Sequence, residues 1–217
     1  HGVTAPTHEV THWALGDDIK LLPELLPFQS IKFAKLRPEL GFDRGFTTVV
    51  ADDPFLDEDA YRELLDLMER NKDREFFIFV HSWMVHAPYS EGSYFTEDPD
   101  ERDYIYNLRK SSKDYVHELA QYLEKTGRFT NENLLDLYDG GIKRVDRGIG
   151  RLMDDLKRMG LYDQMLIVFT SDHGEPFGEH SGENQIFYSD HGYDFYEEDV
   201  KVPLMVKYPQ SNVTREI

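Results

Sequence analysis

The chain has 217 residues, 42 of them acidic against 24 basic, giving a formal net charge of −18, and it contains no cysteine. That balance argues against a nucleic-acid partner, since phosphate backbones call for basic patches, and the missing cysteine excludes disulfides and a thiolate nucleophile within these residues. Hydrophobic residues at 40% and aromatic residues at 13% supply a packed core, and no apolar stretch approaches the roughly 20 residues needed to span a bilayer.

His1 to Pro6 show neither a basic n-region nor an apolar h-region. Together with the absent cysteines this leans toward a soluble, cytoplasmic setting. His8 and His12 lie in a polar stretch and read as solvated. Asp17 to Leu26 predicts a capped helix with acids in its first turn. The paired Asp17 and Asp18 also suggest metal binding, but they follow no strand, so capping is the preferred reading. A second helix is predicted over residues 57–70, again with an acidic start. Glu75 to His81, rich in aromatic and β-branched residues, predicts a buried strand that runs into the loop His86-Ala87-Pro88-Tyr89.

Two long helical stretches follow, at 102–125 and 131–159. Thr126-Gly127 separates them, Thr130-Asn131 restarts the helix, and Gly160 closes it. The run Leu166-Ile167-Val168-Phe169-Thr170 predicts another buried strand, and Val202 to Lys207 a final one. Strand, long helical excursion and strand together predict an α/β fold with a mostly parallel central sheet sandwiched by helices. No repeat, low-complexity segment or linker divides the chain, so residues 1–217 read as one domain or part of one.

The chemistry concentrates after the strands. Asp172 and His173 stand directly beyond Thr170 and Ser171 and before the turn at Gly174, where ligands sit in open α/β sheets. An unpaired carboxylate there would be costly, which favours a cation. His86 reads as a loop histidine or as a ligand, and His191 is equally open. A histidine in such a place can bind metal, carry a proton or donate as a cation. His81 and His180 read as structural or supporting residues. Glu175, Glu179 and Glu183 read as a surface loop in which any of them could orient a ligand.

The order of these pieces resembles the sulfatase family of the alkaline phosphatase superfamily. The matching segments are Val80-His81 through His86-Ala87-Pro88-Tyr89; a helix with Tyr138-Asp139, Ile142, Val145-Asp146 and Ile149-Gly150; Asp172-His173-Gly174-Glu175; Gly178-Glu179-His180; and His191-Gly192, Tyr196-Glu197-Glu198 and Val202-Pro203-Leu204. Gly41-Phe42-Asp43-Arg44-Gly45-Phe46 also looks like a recurrent segment of the family. The resemblance implies a sulfuric ester hydrolase in which Asp172 and His173 coordinate a divalent cation (Mg, Mn, Zn or Ca). It implies that His86 contacts the transferred group and that His191 sits near the leaving-group oxygen. Many relatives carry a second histidine where this chain has Tyr193, which bears on leaving-group protonation.

The family nucleophile, a formylglycine made from cysteine or a serine within Cys/Ser-x-Pro-x-Arg, is not among these residues. The reading is therefore the interior portion of a longer catalytic domain, cut before its small C-terminal subdomain, and inactive by itself. The expected partner is a small sulfate or phosphate ester. A phosphodiesterase or phosphonate monoester hydrolase of the same superfamily, and a non-catalytic relative, are the alternatives. Few basic residues in loops 87–101 and 181–195 tilt against heavily sulfated polysaccharides.

Overall fold

The computed structural model describes residues 3–4, 14–36, 38–86, 125, 131–177, 179 and 195–211. The chain forms two compact units, His1–Trp83 and Met84–Ile217.

In the first unit, β1 (Val3–Thr4) and β2 (Ala14–Leu15) form a short antiparallel pair. The main sheet is parallel, with β3 (Gln29–Phe33) in the middle between β4 (Thr48–Val50) and β5 (Phe76–Val80). Ile31 faces Thr48 on one side and Ile78 on the other. Ser30, Ile31, Lys32 and Phe33 are all fully buried, as expected of a central parallel strand covered on both faces. No strand is expected at β3 from the sequence, because Gln29, Ser30 and Lys32 make it look polar.

Lys32 is tolerated inside because its ammonium pairs with Asp43 and lies 6.0 Å from the centroid of the Phe46 ring. Burial holds its pKa below the usual lysine value. Phe46 in turn stacks on Phe77 of β5 at 6.2 Å. The segment Gly41 to Phe46 thus acts as a clamp over the sheet. Arg44 anchors it by donating from Nη2 to the carbonyl of Ile19 at 2.9 Å. Gly45 adopts φ +80°, and a Cβ there would lie 2.4 Å from the backbone nitrogen of Glu24, so no other residue fits.

The helix predicted from Asp17 is much shorter. Only α1 (Leu22–Leu25) forms, with Pro23 in its first turn, while Asp17 and Asp18 occupy an exposed turn before it. Proline suits a helix start but cannot lie deeper in one, and Pro27 follows directly. Glu24, rather than an aspartate, accepts the Leu21 N–H at 2.8 Å. A 3₁₀ turn covers Pro38–Leu40. The second predicted helix forms as α2 (Glu58–Asn71), capped by Asp57, which accepts from the Ala60 N–H at 2.9 Å. It buries Ala60, Tyr61, Leu64 and Met68 along one stripe, each large apolar side chain contributing about 1.5–3 kcal/mol.

In the second unit, α3 (Asn131–Arg158) is the dominant element. Gly160 ends it at φ +71°, donating to Lys157 O at 3.1 Å, while Leu161 N–H reaches Leu156 O at 2.9 Å. These are the paired bonds of a glycine-terminated helix. Next, β6 (Ile167–Thr170) pairs with β7 (Leu204–Lys207), with Thr170 opposite Leu204. This pair is antiparallel, unlike the first unit's main sheet. The short helix α4 (Glu197–Val200) precedes β7. The helix expected at 102–125 lies outside the described residues apart from Lys125, which is helical. Among the described residues no helix is long and apolar enough to cross a membrane.

Candidate active site

The apolar strand β6 delivers Ser171, Asp172 and His173 at its carboxyl end, and local hydrogen bonds fix their backbone. Ser171 Oγ donates to His173 O at 2.7 Å, and the His173 N–H donates to Asp172 Oδ1 at 3.2 Å. The His173 ring nitrogen Nδ1 lies 2.6 Å from Gly174 O, so in the tautomer with a proton on Nδ1 it donates there. Nε2 is then left on the side of Asp172, 3.9 Å from Oδ1. Asp172 is exposed and His173 is partly exposed.

Gly174 docks this loop onto α4. Its N–H donates to Asp199 O at 2.7 Å, and a Cβ would lie 1.9 Å from Glu198 O. The glycine is therefore required by close backbone approach rather than by an unusual φ. Asp199 is buried, and its Oδ1 has no hydrogen-bond partner among the described residues.

Helix α3 touches both chemically interesting loops. Gly141 lies so close to the turn before His86 that a Cβ would meet Met84 O at 3.0 Å and the Val85 Cα at 3.5 Å. One turn earlier, Tyr138 meets Phe177 edge to face at 5.0 Å. Burial, then the nearby carboxylates of Glu175 and Asp139, raise the Tyr138 phenol above its ordinary pKa. The helix predicted at 131–159 thus lies against both the His86 turn and the strap following His173.

Of the expected site residues, Asp172 and His173 are brought together. His86 ends the turn after β5 and is partly exposed. His191, Tyr193, His180, Glu183, His8 and His12 lie outside the described residues. Among the described residues no group of three or more His, Asp or Glu side chains gathers as a metal site. His81 serves packing, stacking on Phe79 at 6.4 Å and meeting Trp83 edge-on at 5.3 Å. Glu179 accepts the Phe177 N–H at 2.6 Å and closes a local turn.

Asp53, Gly141 and Gly174 matter more than their sequence contexts advertise. Asp53 is fully buried after β4 and accepts from Phe55 N–H, Ser82 Oγ–H and Trp83 N–H. The Asp-Pro-Phe context does signal an Asx turn, but not the long-range bonds to residues 82 and 83.

A family model described as Sulfatase matches residues 22–217, and the chain belongs to the sulfatase family. It is 36% identical over 74 residues to an N-acetylglucosamine-6-O-sulfatase from Bacteroides thetaiotaomicron, covering 34% of this chain and 12% of that protein. It is 34% identical over 89 residues to the steryl-sulfatase of Mus musculus, covering 38% and 14%. A multifunctional alkaline phosphatase superfamily protein, PehA, from Trinickia caryophylli is 25% identical over 177 residues, covering 72% and 32%. The chain therefore spans about a third or less of these relatives. The solved structure of BT4656 in complex with its substrate D-glucosamine-2-N,6-O-disulfate matches with a TM-score of 0.57 at 17% identity, over 91% of this chain and 57% of that one. The likeness establishes that this chain shares the α/β fold of that structure.

Proposed function

We propose that the whole protein hydrolyses a small sulfate monoester, and that Asp172 and His173 contribute part of the site for a divalent cation. The observation that carries this reading is the Asp172–His173 geometry at the end of β6. Asp172 Oδ1 and His173 Nε2 lie 3.9 Å apart, and these two groups would hold the ion and place its Lewis-acid charge at the end of the strand. One carboxylate with one imidazole suits Mg²⁺, Mn²⁺ or Zn²⁺ better than Ca²⁺, which prefers all-oxygen shells.

When bound, the cation supplies Lewis-acid charge stabilisation. The chain's own groups bind, orient and carry protons. Asp172 orients its carboxylate from the strand end. Gly174 O holds the His173 ring through Nδ1, presenting Nε2 to the site. His86 donates an N–H to a sulfuryl oxygen as negative charge builds there. His191 passes a proton to the leaving oxygen as the sulfur–oxygen bond breaks. The nucleophile, formylglycine or serine by family resemblance, belongs to residues outside this chain.

Sulfatase-named relatives and the sulfated-sugar complex of the solved neighbour favour sulfate esters of modest size. The match to PehA, a multifunctional alkaline phosphatase superfamily protein, keeps a second reading open within that superfamily, and the resemblance suggests a phosphodiesterase or phosphonate monoester hydrolase for it. Release of nitrophenol from aryl sulfate and aryl phosphate esters by the full-length protein separates them. A higher kcat/KM for the sulfate, lost in His86→Ala and Asp172→Asn, supports the first reading. Preference for the phosphate overturns it. Activity on neither ester, in a full-length protein lacking the nucleophile motif, points to a non-catalytic relative.

A further inference from the structure

The buried carboxylate of Asp53 has no place in the chemistry above, yet it holds the chain that leads to His86. The β3–β5 ladder runs through Phe33 opposite Val80 and ends with His81 N–H donating to Phe33 O at 2.9 Å. The β3–β5 register ends at Val80. Asp53 takes over. Its Oδ2 accepts from the Ser82 hydroxyl at 2.7 Å and from the Trp83 N–H at 3.0 Å. Its Oδ1 accepts from the Phe55 N–H at 2.9 Å. The Asp53 carbonyl meanwhile accepts from Leu56 and Asp57 at the entrance to α2, so the residue that grips the outgoing chain is itself held by a helix start. The side chain is fully buried, and three neutral donors share one carboxylate. Two of them come from Ser82 and Trp83, only four and three residues before His86.

We propose that Asp53 is a positioning residue for His86. It holds Ser82 and Trp83 at the point where the chain leaves the sheet, and so sets the path of the chain that runs on to His86. This inference rests on the role assigned to His86 above. A carboxylate suits the task because both of its oxygens accept. Asparagine would turn an NH₂ group toward either Phe55 N–H or Trp83 N–H, setting donor against donor.

The test is a double-mutant cycle in the full-length protein with an aryl sulfate, using Asp53→Asn, His86→Ala and the pair. Asp53→Asn is expected to lower kcat roughly tenfold to a hundredfold, the cost of a small misplacement of a reacting group, with KM little changed. In the His86→Ala background the same change should cost less than about twofold further, because the two act as one unit. Ser82→Ala, a gentler variant that removes one donor, should shift kcat in the same direction by less.

Trp83 gives a readout independent of turnover. The chain has two tryptophans, so in a full-length background with Trp13 and every tryptophan outside this chain replaced by Phe the emission reports Trp83, and Asp53→Asn should shift it to longer wavelength. An unchanged emission maximum, an unchanged kcat in Asp53→Asn, or full multiplication of the two kcat losses overturns the proposal. If His86→Ala itself leaves kcat unchanged, the assignment of His86 falls and this inference falls with it. If His86→Ala is inactive while Asp53→Asn is fully active, only the role of Asp53 is lost.

Discussion

Gly174 donates its backbone N–H to the carbonyl oxygen of Asp199 at 2.7 Å, which locks the loop carrying Asp172 and His173 onto α4. The contact leaves no room for a side chain, since a Cβ would lie 1.9 Å from Glu198 O. Gly174→Ala is therefore expected to destabilise the fold by about 1–3 kcal/mol, as forced overpacking does. It should also weaken Mn²⁺ binding to the full-length protein, because the His173 ring bonds to the displaced peptide. Thermal denaturation and a Mn²⁺ titration followed by electron paramagnetic resonance check both.

The Lys32–Asp43 pair should respond asymmetrically. Lys32 is fully buried, whereas Asp43 keeps part of its side chain in water. Removing the acid strands a buried ammonium, so Asp43→Ala should cost about 3 kcal/mol. Lys32→Met leaves an aspartate that water can reach and fills the same space with apolar atoms, and should fall within about 1 kcal/mol of the parent. Urea denaturation of both variants measures the difference. Equal losses would show that the ammonium is not desolvated as described.

Helix α3 meets the turn before His86 at Gly141, where Met84 O would lie 3.0 Å from a Cβ. Alanine asks the turn to give by a few tenths of an ångström and also gains helix propensity, so the two effects oppose. Leucine cannot be accommodated. Gly141→Leu should lower kcat roughly tenfold or more by moving His86, and kinetics on an aryl sulfate check it.

Much of this arrangement was legible in the residues, and what was not has a physical cause. The strands at Phe76–Val80 and Ile167–Thr170 were readable as strands because dense apolar runs end at turn-forming residues, but not as buried ones, since β5 is half-buried and β6 alternates half-buried with exposed positions; α2 and α3 were readable because their apolar positions recur at helical spacing. The central strand β3 was hidden, since its Lys32 is neutralised by a partner eleven residues on. The helix at Asp17 was over-read because acids that suit a first turn also suit an exposed loop, and Pro23 fixes the start later. Asp172 and His173 stood out as an adjacent pair beyond a strand. The bonds of Asp53 to Ser82 and Trp83 did not, because nothing local links residues 29 and 30 positions apart.

Tyr138 supplies a pH prediction. Its phenol is raised above the ordinary value of 10.0, first by burial and then by Glu175 and Asp139. Below pH 10 it is protonated in both folded and unfolded chains and adds no pH dependence. Above that, the folded state holds its proton longer, so stability should fall as pH rises through the folded pKa. Tyr138→Phe should flatten this alkaline loss, measured by urea denaturation at pH 9 to 11. An identical slope in the variant would remove the assignment.

The most direct measurement is anomalous scattering from a crystal of the full-length protein grown with Mn²⁺. The proposed site predicts a peak within about 2.3 Å of both Asp172 Oδ1 and His173 Nε2, as two groups that hold one ion require. A bound Mn²⁺ that leaves both atoms more than about 4 Å away, well outside any coordination distance, would contradict the account.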